Sequence, residues 1–163
     1  MTEDWAERVA AVWADDALSD AERIERIDAL AGERGAEDAR ALFERAGARD
    51  SAGLGSEAEP LYRRAIKAGL DDEHRPQATI QLASTLRNLG HVDEALEMLR
   101  AEYERGPGMP FHDAAAAFYA LALTSHGEAV AAASVALKAL APHLPRYTRS
   151  VTAYADDLLS AGG

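Results

Sequence analysis

The chain has 163 residues, 48% of them hydrophobic and 28% charged, the balance of a globular protein rather than a disordered one. Its net charge of −11 argues against a nucleic-acid protein, because phosphate contacts need clustered Lys and Arg. The absence of cysteine removes disulfides and thiolate metal sites, and the acidic start MTEDWAERVA is unlike a secretory leader; a cytoplasmic protein with no membrane segment is expected.

Abundant alanine and the lack of β-branched runs favour helix, and about nine helices are predicted in an all-α fold. The first covers 2–14. Ser19 stands three residues before Glu22, a capping box that opens a second helix striped by Ile24, Ile27, Leu30 and Ala31. A third is expected over 37–51, with Ala39, Leu42, Phe43 and Ala46 at helical spacing. Gly53 and Gly55 make a turn into a fourth that ends at Ala68 and carries Pro60 in its opening turns. The run Asp71-Asp72-Glu73-His74-Arg75-Pro76 reads as a linker. Helices over 77–89 and 92–105 follow, then Gly106-Pro107-Gly108-Met109-Pro110 as a stop. Two nearly all-apolar helices, 114–123 and 128–140, precede an elbow at Pro142 and Pro145 and a last helix striped by Tyr147, Val151, Tyr154 and Leu158.

Residues 76–109 form the clearest unit. Leu82, Ala83 and Leu86 share one face, Gly90 breaks the helix, Ala95 and Leu99 share the next face, and Pro107 closes it. This spacing resembles the 34-residue tetratricopeptide repeat, with Thr79 and Leu86 where Trp and Tyr are usual. Ala58 and Tyr62 repeat the Ala95 and Leu99 pattern 37 residues earlier, although Arg45 and Arg49 stand where apolar packing is expected. Ala129 falls 34 residues after Ala95, with Gly127 only two before it, and marks a third unit whose turn is tighter or displaced. The fragments LYRRAIKAGLD, QLASTLRNLG and APHLPRYTRS are similar to a group of short bacterial tetratricopeptide-repeat proteins. The resemblance implies an α-α solenoid in a single domain. Its parts are an N-terminal helical pair (1–35), three degenerate repeats (36–142) and a C-terminal capping helix (143–163).

A repeat solenoid works by binding, and its first helices line the concave face. Gln77, Ile80, Ser84 and Arg87, with Asn88, are therefore the expected peptide-binding residues, joined by Arg40 and Phe43 of the preceding repeat. Arg87 would hold a partner carboxylate. Phe43 and Gly47 replace the polar residues that a carboxylate clamp of this family requires, so a chaperone-tail clamp is not expected. Phe111, Phe118 and Leu121 lie on the apolar helices and are expected to close a homodimer; the rival reading is a self-associating structural homodimer with no groove ligand. Arg146, Tyr147 and Arg149 after the elbow are a minor anion-site candidate. No catalytic motif, cofactor signature or i, i+4 histidine pair is present, so the expected activity is non-catalytic recognition of a protein or peptide.

Overall fold

The computed structural model describes residues 4–160; Thr2 and Glu3 of the predicted first helix, and 161–163 of the predicted cap, lie outside them. Nine α-helices are found among the described residues: α1 (Trp5–Ala14), α2 (Asp20–Gly32), α3 (Ala39–Ser51), α4 (Gly55–Ala68), α5 (His74–Asn88), α6 (Val92–Glu104), α7 (His112–His126), α8 (Ala129–Leu140) and α9 (Thr148–Ser160). A single 3₁₀ turn, Ala141–His143, forms the elbow before α9, and the described residues contain no strand. None of these helices is long and apolar enough to cross a membrane.

Three backbone closures organise the chain. Gly53, Gly90 and Gly127 have φ of +76°, +92° and +94°, a left-handed conformation that costs a side-chain-bearing residue strain. In each, the glycine N–H reaches back three residues, to Asp50, Arg87 or Thr124. The next N–H reaches back five, Leu54 to Arg49 O at 2.9 Å, His91 to Leu86 O at 2.9 Å and Glu128 to Leu123 O at 2.8 Å. This is a Schellman closure, which satisfies the orphan carbonyls of the helix it ends. From 53 to 90 and from 90 to 127 is 37 residues in both cases. The alanine five residues after each glycine, Ala58, Ala95 or Ala132, is buried.

That spacing corrects the expected third register. The chain keeps its own period of 37 throughout, so the packed alanine of α8 is Ala132, while Ala129 is exposed as the first residue of the helix. The turn at Gly127 is neither tighter nor displaced; its geometry matches the other two.

Two further differences concern prolines. The predicted linker at 71–76 is shorter, because His74-Arg75-Pro76 is the first turn of α5. Asp71 starts it: its Oδ1 accepts the N–H groups of Glu73 (3.0 Å) and His74 (2.8 Å), the orphan donors of a helix start. Pro76 costs little there for the same reason. Pro60 instead is the sixth residue of α4, past the first turn, where its missing donor leaves the Ser56 carbonyl without an intrahelical partner. Ser56 and Pro60 are both exposed, so water can serve that carbonyl.

The chain divides into two compact units, Met1–Thr85 and Leu86–Gly163. In the first, α1 packs on α2, α2 on α3 and α3 on α4. Val9, Val12, Ile27 and Ala48 form a core cluster, flanked by Trp5, Trp13, Leu18, Ile24 and Leu30. Trp5 donates its indole N–H to Leu30 O at 2.8 Å, which locks α1 onto α2. Asp28 of α2 is gripped by Arg45 Nε (2.9 Å) and Arg49 Nη2 (2.8 Å) of α3. The two arginines that break the apolar pattern of the first repeat thus tie the N-terminal pair to it.

In the second unit α6 packs on α7, α7 on α8 and α8 on α9. Leu86, Leu99, Ala116, Ala122 and Leu123 fill its interior. Tyr103 stacks on His112 at 5.2 Å and tilts against Tyr119 at 5.4 Å, linking α6 to α7. The α8–α9 seam is fixed by buried Ser134, whose hydroxyl donates to Ala155 O at 2.7 Å, and by the Lys138–Asp156 pair at 2.8 Å.

Candidate functional site

In the first unit, α1, α3, α4 and α5 surround a cavity of about 470 Å³. It is lined by Trp13, by Arg40, Phe43, Glu44, Gly47, Asp50 and Ser51 of α3 and its end, by Tyr62 of α4, and by His74, Gln77 and Gln81 of α5. The α3 residues recur at three- and four-residue steps because one helical face looks into the cavity.

One wall is a polar relay. Glu44 is 5% exposed, and a buried carboxylate must be paired. Its Oε1 accepts from Arg40 Nε (3.0 Å) and Nη2 (2.7 Å), and its Oε2 accepts the Trp13 indole N–H at 2.7 Å. Arg40 also contacts His74 Nε2 through Nη1. Because the other His74 nitrogen, Nδ1, lies 2.6 Å from Asp71 Oδ1, its proton belongs on Nδ1, and Nε2 is free to accept from Arg40. The N–H groups of His74 and Glu73 hold the Asp71 carboxyl below its usual range, backbone donation from His74 being the largest cause.

The opposite wall centres on Tyr62 and Asp50. The Tyr62 hydroxyl lies 3.2 Å from Asp50 Oδ2 and 3.0 Å from Gln81 Oε1, and the Thr85 hydroxyl donates to Asp50 Oδ1 at 2.9 Å. Burial, then the charge of Asp50, pushes the Tyr62 phenol well above its ordinary pKa, so it stays a protonated donor. Between the walls Gly47 keeps space open: a Cβ there would lie 3.5 Å from Trp13 Cζ2 and 4.0 Å from the Tyr62 hydroxyl oxygen.

The structure brings three of the predicted groove residues, Arg40, Phe43 and Gln77, to this cavity. Ile80 does not present a groove side chain; it is 4% exposed, packed in the interior. Ser84 is half-buried and stands outside the cavity lining. Arg87 and Asn88 belong to the second unit, where Arg87 Nη1 donates to Ser125 Oγ at 3.3 Å and Arg87 Nε is buried without a hydrogen-bond partner. The predicted interface residues Phe111 and Leu121 are 42% and 47% exposed, and Phe118 is half-buried. Phe111 also has φ of +61°, uncommon outside glycine. Arg146, Tyr147 and Arg149 are solvent-exposed.

Sequence reasoning missed Trp13, Glu44, Tyr62, His74 and Gln81. Glu44 and Gln81 occupy equivalent positions, 37 residues apart, on the first helices of successive repeats; that signal was present. Trp13 gave none, because its partner Glu44 is 31 residues away. No group of three or more His, Asp or Glu side chains able to hold a metal exists among the described residues.

A helix-pair unit recurring every 37 residues, closed by glycine and packed through a buried alanine, is a repeat architecture. A protein-family model for the tetratrico peptide repeat matches residues 39–158. The chain belongs to the tetratricopeptide-repeat family. No curated protein matches it. Membership in this family gives the chain the general role of a helical solenoid in protein interaction. The matched span begins with α3, and the cavity adds to that tetratricopeptide framework one residue from outside it, Trp13.

Proposed function

We propose that the protein is a non-catalytic binding module that recognises a partner protein or peptide through the α3–α5 face of its first unit. The observation that carries this reading is the cavity beside Gly47, whose lining combines hydrogen-bonding groups of Asp50, Gln77 and Gln81 with the aromatic surface of Trp13 and Phe43. A few polar groups set among apolar ones is the usual make-up of a recognition site. Gln77, Arg40 and Phe43 are the contact residues from the predicted set. On the second unit, taken by itself, Arg87 and Asn88 remain the proposed contact residues.

The test is steric. Gly47→Leu fills the cavity, whereas Gly47→Ala adds a Cβ at ordinary contact distance and acts as the folding control. A partner captured by wild type and by Gly47→Ala, lost with Gly47→Leu, and shown by calorimetry on purified proteins to follow the same order supports the reading. Equal affinity for all three chains would sink it.

A second reading has its own observation. An open apolar depression of about 530 Å³ lies between α7 and α8, lined by Leu121, Thr124 and alanines of both helices. Leu121, Val130 and Leu140 are each about half exposed there or nearby on the same two helices. Self-association through Phe111, Phe118 and Leu121 would cover this surface.

A further inference from the structure

We infer that the cavity of the first unit is a socket for a guanidinium group, an arginine side chain presented by the partner; the inference rests on the binding reading above. Its basis is the charge left over inside the cavity. Arg40 and Glu44 neutralise each other across two hydrogen bonds, and the second Glu44 oxygen is taken by Trp13. His74 has both ring nitrogens engaged, Nδ1 by Asp71 and Nε2 by Arg40. Asp50 remains. Its partners are the hydroxyls of Tyr62 and Thr85, which supply hydrogen bonds but no positive charge. A half-buried carboxylate without a counter-charge is costly, and a bound cation relieves that cost.

The remaining groups choose among cations. Each Asp50 oxygen accepts one hydrogen bond and keeps further acceptor capacity, so a forked donor can engage both. The amide oxygens of Gln77 and Gln81 are additional acceptors on the same lining. Trp13 and Phe43 provide aromatic surface that already holds guanidinium groups of the chain itself, Arg23 at 5.8 Å and Arg40 at 5.9 Å from the ring centroids, a contact in which an ammonium, more strongly hydrated, gains less. An incoming carboxylate would meet Asp50 and Glu44 with Arg40 already paired. The cavity therefore disfavours the acidic peptide that Arg87 alone would suggest. The chain's net charge of −11 draws a basic partner to it.

The probes are capped Gly-Gly-X-Gly-Gly peptides with X as arginine, lysine, citrulline or glutamate, titrated into the full chain. The Trp13 indole N–H resonance reports occupancy, and calorimetry gives affinity. The arginine peptide is expected to shift that resonance, with lysine several-fold weaker and citrulline and glutamate inert. Asp50→Asn removes the charge, keeps one oxygen acceptor and turns an NH₂ group toward the other hydroxyl; it should weaken the arginine peptide about ten-fold or more, the size of a lost charge-assisted contact. Equal binding of glutamate, indifference to Asp50→Asn in a variant with wild-type melting, or no shift with any peptide overturns the inference. So does free arginine binding as tightly as the peptide, which would make the ligand a small molecule. If Gly47→Leu abolishes partner capture while Asp50→Asn does not, the binding face stands and the arginine socket falls.

Discussion

Asp28 shows how a residue outside the repeat pattern decides whether the pattern holds. Its burial would raise the carboxyl pKa, yet hydrogen bonds from Arg49 and then Arg45 outweigh that and hold it below the usual value. A lowered folded-state pKa means that the unfolded chain binds the proton more readily. The pair's contribution is therefore complete above the unfolded value of about 4 and disappears as pH falls through the lower folded value. Asp28→Asn should cost about 1 kcal/mol at pH 7, a figure discounted because a third of the side chain meets solvent. Urea unfolding of both chains from pH 7 to pH 2 should show the difference closing below pH 4; a constant difference would refute the assignment. Arg45 and Arg49 were legible in the sequence only as misfits. Their partner lies 17 and 21 residues away, beyond the reach of helical periodicity.

At the scale of the helix, the closing glycines and the alanines that follow them carry the predictions. Gly90→Ala forces a Cβ into φ of +92° and should cost about 1–2 kcal/mol. Gly32→Ala, with ordinary backbone and nothing within 4 Å of the added methyl, should be neutral or slightly stabilising. Thermal melts of the two variants separate a conformational requirement from glycine as filler. The register has its own test: Ala132→Leu should lose roughly 1–3 kcal/mol by overpacking, as should Ala95→Phe. Ala129→Leu should stay within about 0.5 kcal/mol. The reverse order would restore the 34-residue spacing. Most helices were legible, because Ala, Leu and Ile recur at helical steps and glycine marks the stops. The third register was misread because the family's usual period was imposed on a chain that keeps a longer one. The start of α5 was misread because charge and proline suit both a linker and a first turn, and only the Asp71 hydrogen bonds distinguish them.

For the whole molecule, the two units divide the properties that the sequence suggested. The first holds the polar cavity; the second holds the apolar helices with exposed Leu121 and Val130. If the second surface joins two copies, Leu121→Glu should shift the mass from light scattering to that of one chain without lowering the melting temperature. A wild-type chain already at that mass at micromolar concentration removes the self-association reading. The binding face was only half legible: Arg40, Phe43 and Gln77 followed from repeat position, but the charge balance that selects a ligand depends on pairings across four helices. The constant spacing of the closing turns also bears on how the gene can change length. One residue turns a helix by about 100°, so a copied repeat that is one residue short or long within a helix would swing that helix's alanine off its packing face. A tandem copy of residues 91–127 would instead return each side chain to its old heading. A lineage carrying this sequence can therefore lengthen by whole repeats, and shorter slips within a repeat are the changes that selection should remove.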